Sequence, residues 1–357
     1  MPEIKKYIYG IINSNQELTE ATAKSLAKEA GMTASKTIKT IPYQDISAVV
    51  SDSENTDFSH MRRDVLARNL VRHQKVIEAI GKRMPDYAII PLKLGTIAKD
   101  EDEVGLILSK GYQLFKDIFS KVAGKIEIDV ACIWSDFSSL LKETGEEGRI
   151  KEFKQSLLAN SKGISVDDRM KVGLMVQKAV ERKNEDCAGE VLNSLKTVSQ
   201  DVKIHQCMDD KMIANYAFLI DKTKVGYFYK KVEELDGYFQ GQLDFKCVGP
   251  LPPYSFYTLE IKKMEYEEVD WARKELGLDE LVSKKEIEKA YKGKSLLTHP
   301  DRNPDTPGKK EEFDKVNKAH NIVNDYSLAG GEVPGGERIS FKAEDFGKNS
   351  ILVRVKK

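Results

Sequence analysis

The chain has 357 residues, of which 40% are hydrophobic and 32% are charged. Its 57 basic residues balance its 57 acidic residues, so the formal net charge is zero. A chain of this length is expected to fold into two or three domains, because single cores rarely grow beyond about 250–300 residues. With no excess of positive charge, we expect no nucleic-acid partner.

Membrane and secretion signals are not expected from the sequence. No run of about 18 apolar residues is present to span a bilayer, and the first six residues lack the apolar core of a signal peptide. The cysteines are far apart and form no CxxC pair, so we expect neither a zinc ribbon nor a disulfide framework. They are Cys132, Cys187, Cys207 and Cys247. The expected location is a reducing cytoplasm.

Residues 1–124 predict an N-terminal α+β domain. Strands are indicated by β-branched and aromatic runs at residues 7–12, 46–50 and 88–95. Helical patterns occur at 18–30 (a helix or a structured loop), from about 59 to 83, and at 100–122. Pro91 places the last strand at a sheet edge or a bulge. His73 lies on the apolar face of the long helix, where a hydrogen-bonded core histidine is more expected than a catalytic base.

Residues 125–263 predict a second α+β domain, with Gly124 as a hinge. The strand at 126–134 alternates Ile126, Ile128 and Val130 with Glu127 and Asp129, as a half-buried strand does. Further strands are predicted at 202–208, 214–220 and 243–248. Helices are predicted at 148–159, 166–195 and 224–235. This order of strands and helices is that of a ferredoxin-like unit.

Residues 264–328 predict an all-α helical hairpin. Ser283 and Glu286 have the spacing of a capping box, and the helix after them places Ile287, Ala290, Tyr291 and Leu297 in one apolar stripe. Pro300 must end that helix, and residues 302–305 are turn-forming. The second helix is predicted to begin with Thr306 as its cap and Pro307 at its first position. It carries Phe313, Val316, Ala319 and Val323 toward the first helix.

This hairpin resembles the J-domain of Hsp70 co-chaperones. The matching stretches are 286–292, the His299-Pro300-Asp301 tip with Arg302 and Asn303, 312–313 and 316–319. The resemblance implies that His299, Pro300 and Asp301 engage Hsp70 and promote its ATP hydrolysis. It also implies that a basic helix steers the encounter, through Lys284, Lys285, Lys289 and Lys292. Lys294 departs from the family, which usually has a buried Leu there. The simpler alternatives are an ordinary hairpin and a solvated lysine face.

A second resemblance lies in residues 249–256, where a strand gives way to a proline-rich segment. Taken alone, the segment is also consistent with a rigid domain exit. It is similar to the GPxPPYSF motif of the gas vesicle accessory proteins F and L (the GvpL/GvpF family), and 90–96 resembles their LPxRFGT motif. Residues 7–11, 147–154 and 215–220 match further stretches in the same order. The motif residues are Pro91, Gly95, Gly249, Pro250, Pro252, Pro253, Tyr254, Ser255 and Phe256.

The last segment, 329–357, begins with a Gly-rich stretch that predicts a flexible linker. It is not a phosphate loop, because no GK[ST] follows. The alternating residues after it predict either a short hairpin about residues 347–349 or strands added to an earlier sheet.

No group of residues argues for an enzyme, and we expect no cofactor. Metal-ligating side-chain types occur together at His205, Cys207, Asp209 and Asp210. Two ligands on one strand face, however, do not make a tetrahedral site. We therefore expect no metal site and no catalytic residues.

The two resemblances together suggest a gas vesicle assembly accessory protein. Shell proteins of that system are small and hydrophobic, as known for the family, and exposed apolar surface favours aggregation. A body that binds shell protein and recruits Hsp70 would keep subunits soluble at the gas vesicle, with tethering raising the local chaperone concentration. Hsp70, shell proteins and other accessory proteins are the expected partners. The alternatives are a minor structural component of the shell and a general Hsp70 co-chaperone.

Overall fold

The computed structural model describes residues 4–32, 37–53, 58, 61–84, 87–159, 164–302, 308–330, 338–347 and 350–356. The chain forms two compact units. The first combines the two ends of the chain, Met1–Phe119 and Thr258–Lys357, and the second is Ser120–Tyr257. The division into four domains at residues 124, 263 and 328 stays a prediction.

The N-terminal part of the first unit is an antiparallel sheet with helical crossovers. Its elements are β1 (Lys5–Ile12), α1 (Glu20–Glu29), β2 (Ile38–Tyr43), β3 (Ile46–Ser53), α2 (Arg63–Arg83), β4 (Ile89–Pro91), β5 (Ile97–Ala98) and α3 (Glu101–Val122). The strand order is β2-β3-β1-β4, and β5 also pairs with β1. The β1-α1-β2-β3-α2-β4 succession in this order is ferredoxin-like.

Two expectations for this sheet were confirmed and one strand was missed. Residues 20–29 form a helix whose cap, Thr19, accepts a hydrogen bond from the Thr22 amide. Pro91 lies in the edge strand β4. Strand β2 was not predicted, because Pro42 interrupts a short run that alternates poorly.

His73 is a hydrogen-bonded core residue, as expected. It is 3% exposed, its Nδ1 lies 2.8 Å from the Tyr7 hydroxyl, and its Nε2 lies 2.9 Å from the Leu92 carbonyl oxygen. Because that carbonyl only accepts, Nε2 carries the proton and Nδ1 accepts from Tyr7. The neutral imidazole thereby joins α2 to β1 and to the chain just after β4.

The first unit is predicted to lose stability in acid through His73. Burial lowers the pKa of His73 from 6.5 to about 4, against a smaller opposite effect of the bond to Leu92. Between pH 6.5 and about 4, this histidine is protonated in the unfolded chain and neutral in the folded chain. The free energy of unfolding therefore falls by about 3 kcal/mol between pH 7 and pH 4.

Urea unfolding of wild type and His73→Gln across this pH range measures the effect. The variant is expected to lose this part of the pH slope. The control is Val76→Ala on the same buried face of α2, which lowers stability at every pH and keeps the slope. An unchanged slope in His73→Gln would contradict the assignment.

The second unit contains a four-stranded antiparallel sheet. Its elements are β6 (Lys125–Trp134), α4 (Phe137–Gly145), α5 (Gly148–Leu158), α6 (Val166–Lys196), β7 (Asp201–Ile204), β8 (Met212–Asp221), α7 (Val225–Phe239), β9 (Leu243–Leu251) and α8 (Tyr254–Tyr257). The strand order β7-β8-β6-β9 confirms the ferredoxin-like prediction. Helix α4, capped by Asp136, was not predicted, and β7 ends four residues before the predicted strand does.

The two faces of this sheet are covered differently. Ile128 and Val130 of β6 belong to the large core beneath the helices, together with Phe218 and Phe228. On the opposite face, Ala217 and Leu219 of β8 pack against Phe256 of α8. The segment after β9 therefore folds back over the second face of the sheet.

The C-terminal part of the first unit is a three-helix arrangement bordered by short strands. Its elements are β10 (Leu259–Lys263), α9 (Tyr266–Leu276), β11 (Leu281–Ser283), α10 (Lys284–Thr298), α11 (Lys309–Leu328), β12 (Arg338–Ser340), α12 (Ala343–Phe346) and β13 (Ile351–Val355). Strand β12 pairs with β11, and β13 pairs with β10. Each described tail strand pairs with an earlier strand in a two-stranded sheet of its own, rather than with the other tail strand in a hairpin or with one of the larger sheets. Most of the predicted linker, 331–337, and residues 348–349 lie outside the described residues.

The helices α9, α10 and α11 share one core with the tail. Its buried members include Val269, Ala272, Leu276, Ile287, Val316, Ala319, Val323, Tyr326, Ile339, Phe341 and Leu352. Leu297 was wrongly placed in the apolar stripe of α10, because its side chain is 72% exposed and Thr298 is buried instead. Thr306 and Pro307 lie outside the described residues; α11 begins at Lys309 after Gly308, whose φ is +84°. None of the described helices is long and apolar enough to cross a membrane.

Candidate functional site

The candidate site is the tip between α10 and α11. Helix α10 begins with the predicted capping box: Ser283 Oγ accepts from the Glu286 amide at 3.3 Å, and Glu286 Oε2 accepts from the Ser283 amide at 2.7 Å. The helix ends at Thr298, and His299 leaves it with φ −58° and ψ 127°. This extended conformation is the one that Pro300 imposes on the residue before it.

The tip is a single tight turn, Pro300–Arg302. The Asp301 amide donates to His299 Nδ1 at 3.2 Å, and the Arg302 amide donates to the His299 carbonyl oxygen at 3.1 Å. The His299 ring packs edge-on against Phe313 of α11, with centroids 5.0 Å apart. The Asp301 side chain is 86% exposed. The turn therefore holds the imidazole against the bundle and points the carboxylate outward.

Three side-chain contacts join α11 to the neighbouring helices α10 and α9. Tyr291 of α10 donates to Asn317 Oδ1 at 2.8 Å and stacks on His320, with centroids 3.8 Å apart. Burial lowers the pKa of His320, so a neutral ring lies against the tyrosine. The Lys318 ammonium lies 5.4 Å from the Trp271 ring centre, a cation–π contact between α11 and α9.

Lys294, the departure from the J-domain pattern, has a partner. Its ammonium donates to the Glu275 carbonyl oxygen in the last turn of α9. The last carbonyls of a helix lack partners within the helix, and a cation there is favoured by the helix dipole. The lysine thus replaces an apolar contact between α9 and α10 with a polar one, and α10 keeps its place.

The lysines predicted to steer a partner are exposed on α10. Lys285, Lys289 and Lys292 lie on the outward face of the helix, and Lys284 lies to one side of it. Leu296, 44% exposed, continues the same face in the last turn before the tip. The outward face is therefore basic at its start and apolar next to His299. Its apolar end was not predicted.

The GPxPPYSF-like segment is held by a buried carboxyl group of β6. Glu127 is 1% exposed, and its two oxygens accept from the Ser255 amide and hydroxyl, both at 2.8 Å. His205 Nε2 lies 3.0 Å from the same hydroxyl. A Cβ at Gly249 would lie 2.9 Å from the Glu127 carbonyl oxygen, so only glycine fits there. The segment thus has a structural role on this sheet.

Burial makes the carboxyl group of Glu127 unusual. Burial raises its pKa to about 8, although both bonds from Ser255 act in the other direction. Burial also raises the pKa of Asp129, the next residue on the same face. Asp129 Oδ1 is buried and accepts no hydrogen bond from any described residue. Protonated Glu127 therefore fits this face better than a second charge.

The other family-motif residues have backbone roles. The Gly95 backbone has φ +85°, and a Cβ there would approach the Phe58 ring to 3.1 Å. Its amide donates to the Tyr7 hydroxyl at 3.4 Å. Pro252 and Pro253 supply carbonyl oxygens that cap α8, accepting from the amides of Tyr254 and Tyr257 at 2.7 and 3.0 Å. Pro250 lies within β9.

Residues 205–210 include side chains of metal-ligating types. Among the described residues, no group of three or more His, Cys, Asp or Glu side chains is placed to hold a metal ion. The four cysteines are free thiols.

Two family models match the chain. The model for the gas vesicle synthesis protein GvpL/GvpF matches residues 5–258, and the model for the DnaJ domain matches residues 274–328. The first covers the two ferredoxin-like sheets and the Ser255 segment. The second covers α10, the tip and α11.

Individual relatives divide in the same way. Gas vesicle protein F of Dolichospermum flosaquae is 24% identical over 197 residues, which are 54% of this chain and 78% of that protein. Gas vesicle protein F2 of Halobacterium salinarum is 24% identical over 261 residues, covering 73% and 95%. DnaJ homolog subfamily C member 5B of Sus scrofa is 40% identical over 76 residues, covering 21% and 38%.

Solved structures share the fold over 71% of the chain. The crystal structures of gas vesicle protein GvpF from Anabaena and from Microcystis aeruginosa superpose with TM-scores of 0.59 and 0.54. Both are 21% identical to this chain, which covers 98% and 99% of them. This likeness shows the fold.

The second unit is predicted to lose stability as the pH rises through the titration of Glu127. Because its folded pKa is raised to about 8, the protonated carboxyl stabilises the fold fully below about pH 4.5, and this contribution is lost as the pH approaches 8. Glu127→Gln does not titrate, so the free energy of unfolding of this unit is expected to fall less between pH 5 and 8 than in wild type.

Carbon-13 NMR of the Glu127 carboxyl gives the pKa directly. The comparison variant is Ser255→Ala, which removes a hydrogen bond to the carboxylate and should move the titration to higher pH. A Glu127 titration near pH 4.5 in the folded protein would refute this assignment.

Proposed function

We propose, on the premise that this chain belongs to the gas vesicle synthesis protein GvpL/GvpF family and also carries a DnaJ domain, that it is an assembly accessory protein. In this role it binds gas vesicle shell protein and recruits Hsp70 to it in the cytoplasm. The observation that supports this most directly is an intact His299-Pro300-Asp301 tip on the same chain as a GvpF-like body.

The proposed action on Hsp70 uses the tip and the outward face of α10. The Asp301 carboxylate is exposed, and the His299 ring is already ordered against Phe313. The tip is therefore preformed for binding, and little conformational entropy is lost when the partner binds. Lys285, Lys289 and Lys292 steer an acidic partner surface toward it. The chain then promotes ATP hydrolysis by Hsp70 and hydrolyses nothing itself; the two matching families are not families of enzymes.

The proposed contact for shell protein is an exposed apolar stripe at the start of α6. Val166, Met170 and Leu174 follow each other at intervals of four residues and are 72%, 62% and 53% exposed. Ile164, two residues before the helix, is 41% exposed, and Leu158, the last residue of α5, is 74% exposed. The buried residues of α6 all come later in the helix. Exposed apolar patches of this kind are typical of protein-binding surfaces.

The alternative is a purely structural role, in which the hairpin is a packing module of the shell. The bond from Lys294 to Glu275 supports a working J-domain instead, because α10 is seated on α9 despite the departure from the family pattern. The structural role still has a distinct consequence: the protein would co-purify stoichiometrically with intact vesicles after a chaotrope wash, whereas an assembly factor would be removed.

His299→Gln in the full chain is expected to abolish stimulation of the Hsp70 ATPase and to lower gas vesicle yield in a host that depends on this protein. The tip contributes a hydrogen-bonded turn rather than core packing, so the circular dichroism spectrum should stay that of wild type. Normal stimulation by this variant would refute recruitment of Hsp70 through the tip.

The lysine face is tested with charge reversal in the same assay. Lys285→Glu with Lys289→Glu should weaken stimulation most at low salt, because exposed charges are screened beyond about 10 Å at 0.1 M salt. The matched control reverses two exposed lysines of α2, Lys75→Glu with Lys82→Glu, and should leave stimulation unchanged.

Met170→Glu with Leu174→Glu is expected to reduce co-purification of shell protein with the tagged chain by about tenfold or more, since charges disrupt an apolar contact. Both side chains are exposed, so folding should be unaffected. Leu70→Glu with Val71→Glu, at exposed apolar positions of α2, is the control. Equal loss in both variants, or in neither, would exclude the stripe as the contact.

A further inference from the structure

The tail, residues 338–347 and 350–356, is built into the core of the helices that carry the tip. Tyr326 of α11 is fully buried between two tail rings: Phe341 lies at 5.2 Å and Phe346 at 5.8 Å between centroids. Its hydroxyl donates to the Ser340 carbonyl oxygen at 2.9 Å. The largest side chain at the end of α11 is therefore enclosed by the tail.

Backbone pairing ties the tail to both sides of the helical region. Strand β12 pairs with β11, whose last residue is the Ser283 cap of α10. Strand β13 pairs over its whole length with β10. Strand β10 is itself anchored to the N-terminal sheet, since the Lys93 amide donates to the Leu259 carbonyl oxygen at 2.8 Å. The tail thus connects the tip-bearing helices with the N-terminal part of the same unit.

A chain of alternating charges follows the same path. Asp325 of α11 has an 11% exposed side chain and lies between Arg354 of β13 and Lys262 of β10, each at 2.7 Å. Arg354 also contacts Glu260, its direct cross-strand partner, at 2.8 Å. Glu260 in turn contacts Lys93, again at 2.8 Å.

These ion pairs fix the position of α11 relative to the strands β10 and β13. A carboxylate as enclosed as Asp325 needs its partners, because a buried charge without them is strongly unfavourable. Arg354 binds both carboxylates through different nitrogens of one planar group, which fixes their relative positions. The hydrogen bond from Lys93 and those from Arg354 lower the pKa of Glu260, so this carboxylate stays charged.

We propose that the tail is a clasp that completes the J-domain and fixes it to the N-terminal sheet, with Arg354 and Asp325 as the positioning residues. Helix α11 then has a third packing partner besides α9 and α10. The tip is held at one orientation instead of swinging on a flexible linker. Shell protein bound by the body and Hsp70 bound by the tip would meet at a defined separation; that last consequence alone rests on the proposed function.

Hydrogen exchange of the full chain tests whether the tail belongs to this core. Arg354→Gln keeps a long polar side chain and removes the charge shared by Asp325 and Glu260. Amides of α11 and β10 are expected to exchange about tenfold faster or more, because local opening becomes easier. Arg338→Gln is the matched control: this tail arginine meets Glu286 at 3.6 Å, and both side chains are about half exposed.

The control should leave exchange unchanged, since exposed ion pairs contribute little. Phe341→Ala weakens the packing of the tail on Tyr326 without changing any charge. It should accelerate hydrogen exchange of the α11 amides in the same way. Wild-type exchange in both Arg354→Gln and Phe341→Ala would overturn the clasp.

Spin-label distances test the fixed orientation. Cysteines are introduced at the exposed positions Lys75 of α2 and Glu288 of α10, and Cys187, Cys207 and Cys247 are replaced by Ser. Cys132 remains, because burial raises the pKa of its thiol to about 12 and keeps it unreactive. A narrow distance distribution is expected, broadening in Arg354→Gln and not in Arg338→Gln. A broad distance distribution in the spin-labelled protein that keeps Arg354 would overturn the positioning role.

Hsp70 stimulation separates this inference from the proposed function. If Hsp70 is not a partner, Arg354→Gln still changes exchange and distances while no variant changes ATP hydrolysis. If Hsp70 is a partner and the clasp is wrong, His299→Gln abolishes stimulation while Arg354→Gln leaves both exchange and distances as in wild type.

Discussion

The burial of α11 is the constraint on which the tip depends. Its apolar residues pack against α9 and α10, and its last turn is enclosed by the tail through Tyr326. Tyr291 and Phe313 then connect this fixed helix to α10 and to His299. An exposed three-residue turn has no core of its own, so its order comes from the helices beneath it. The tip is a surface feature whose geometry is set by residues far along the chain.

In both ferredoxin-like sheets the apolar face must be covered by other elements. Each places helices on one face, as the alternating strands require. In the second unit the other face carries the carboxyl pair of Glu127 and Asp129, and the proline-rich segment covers it with Ser255 and Phe256. The presence of these residues in the GPxPPYSF-like motif is therefore explained by packing and hydrogen bonding, without a catalytic role. Ser supplies two donors to one carboxyl group, and Gly249 allows the close approach of the strand.

Strongly periodic segments were predictable, and short ones were not. The long helix α2 and the central strand β8 were expected from their apolar spacing, and helical stretches were also predicted at α3 and α6. The capping box of Ser283 was readable because it is a local exchange of two hydrogen bonds. Strand β2 and helix α4 are short and weakly patterned, so tertiary pairing decides them. Leu297 was misplaced because the stripe of α10 is set by what α11 covers, and that excludes the side chain facing away from the bundle.

The sequence by itself determined the long helices, the central strand β8 and the position of the tip. Local rules suffice for this: helix caps, the effect of Pro300 on His299, and the period of apolar residues. The tertiary structure alone decided that the tail pairs with β10 and β11, that Arg354 meets Asp325, and that Glu127 is buried beneath Ser255. Each of these joins residues that are distant in sequence. Their charges and side chains are ordinary until folding brings them together and removes them from much of the surrounding water.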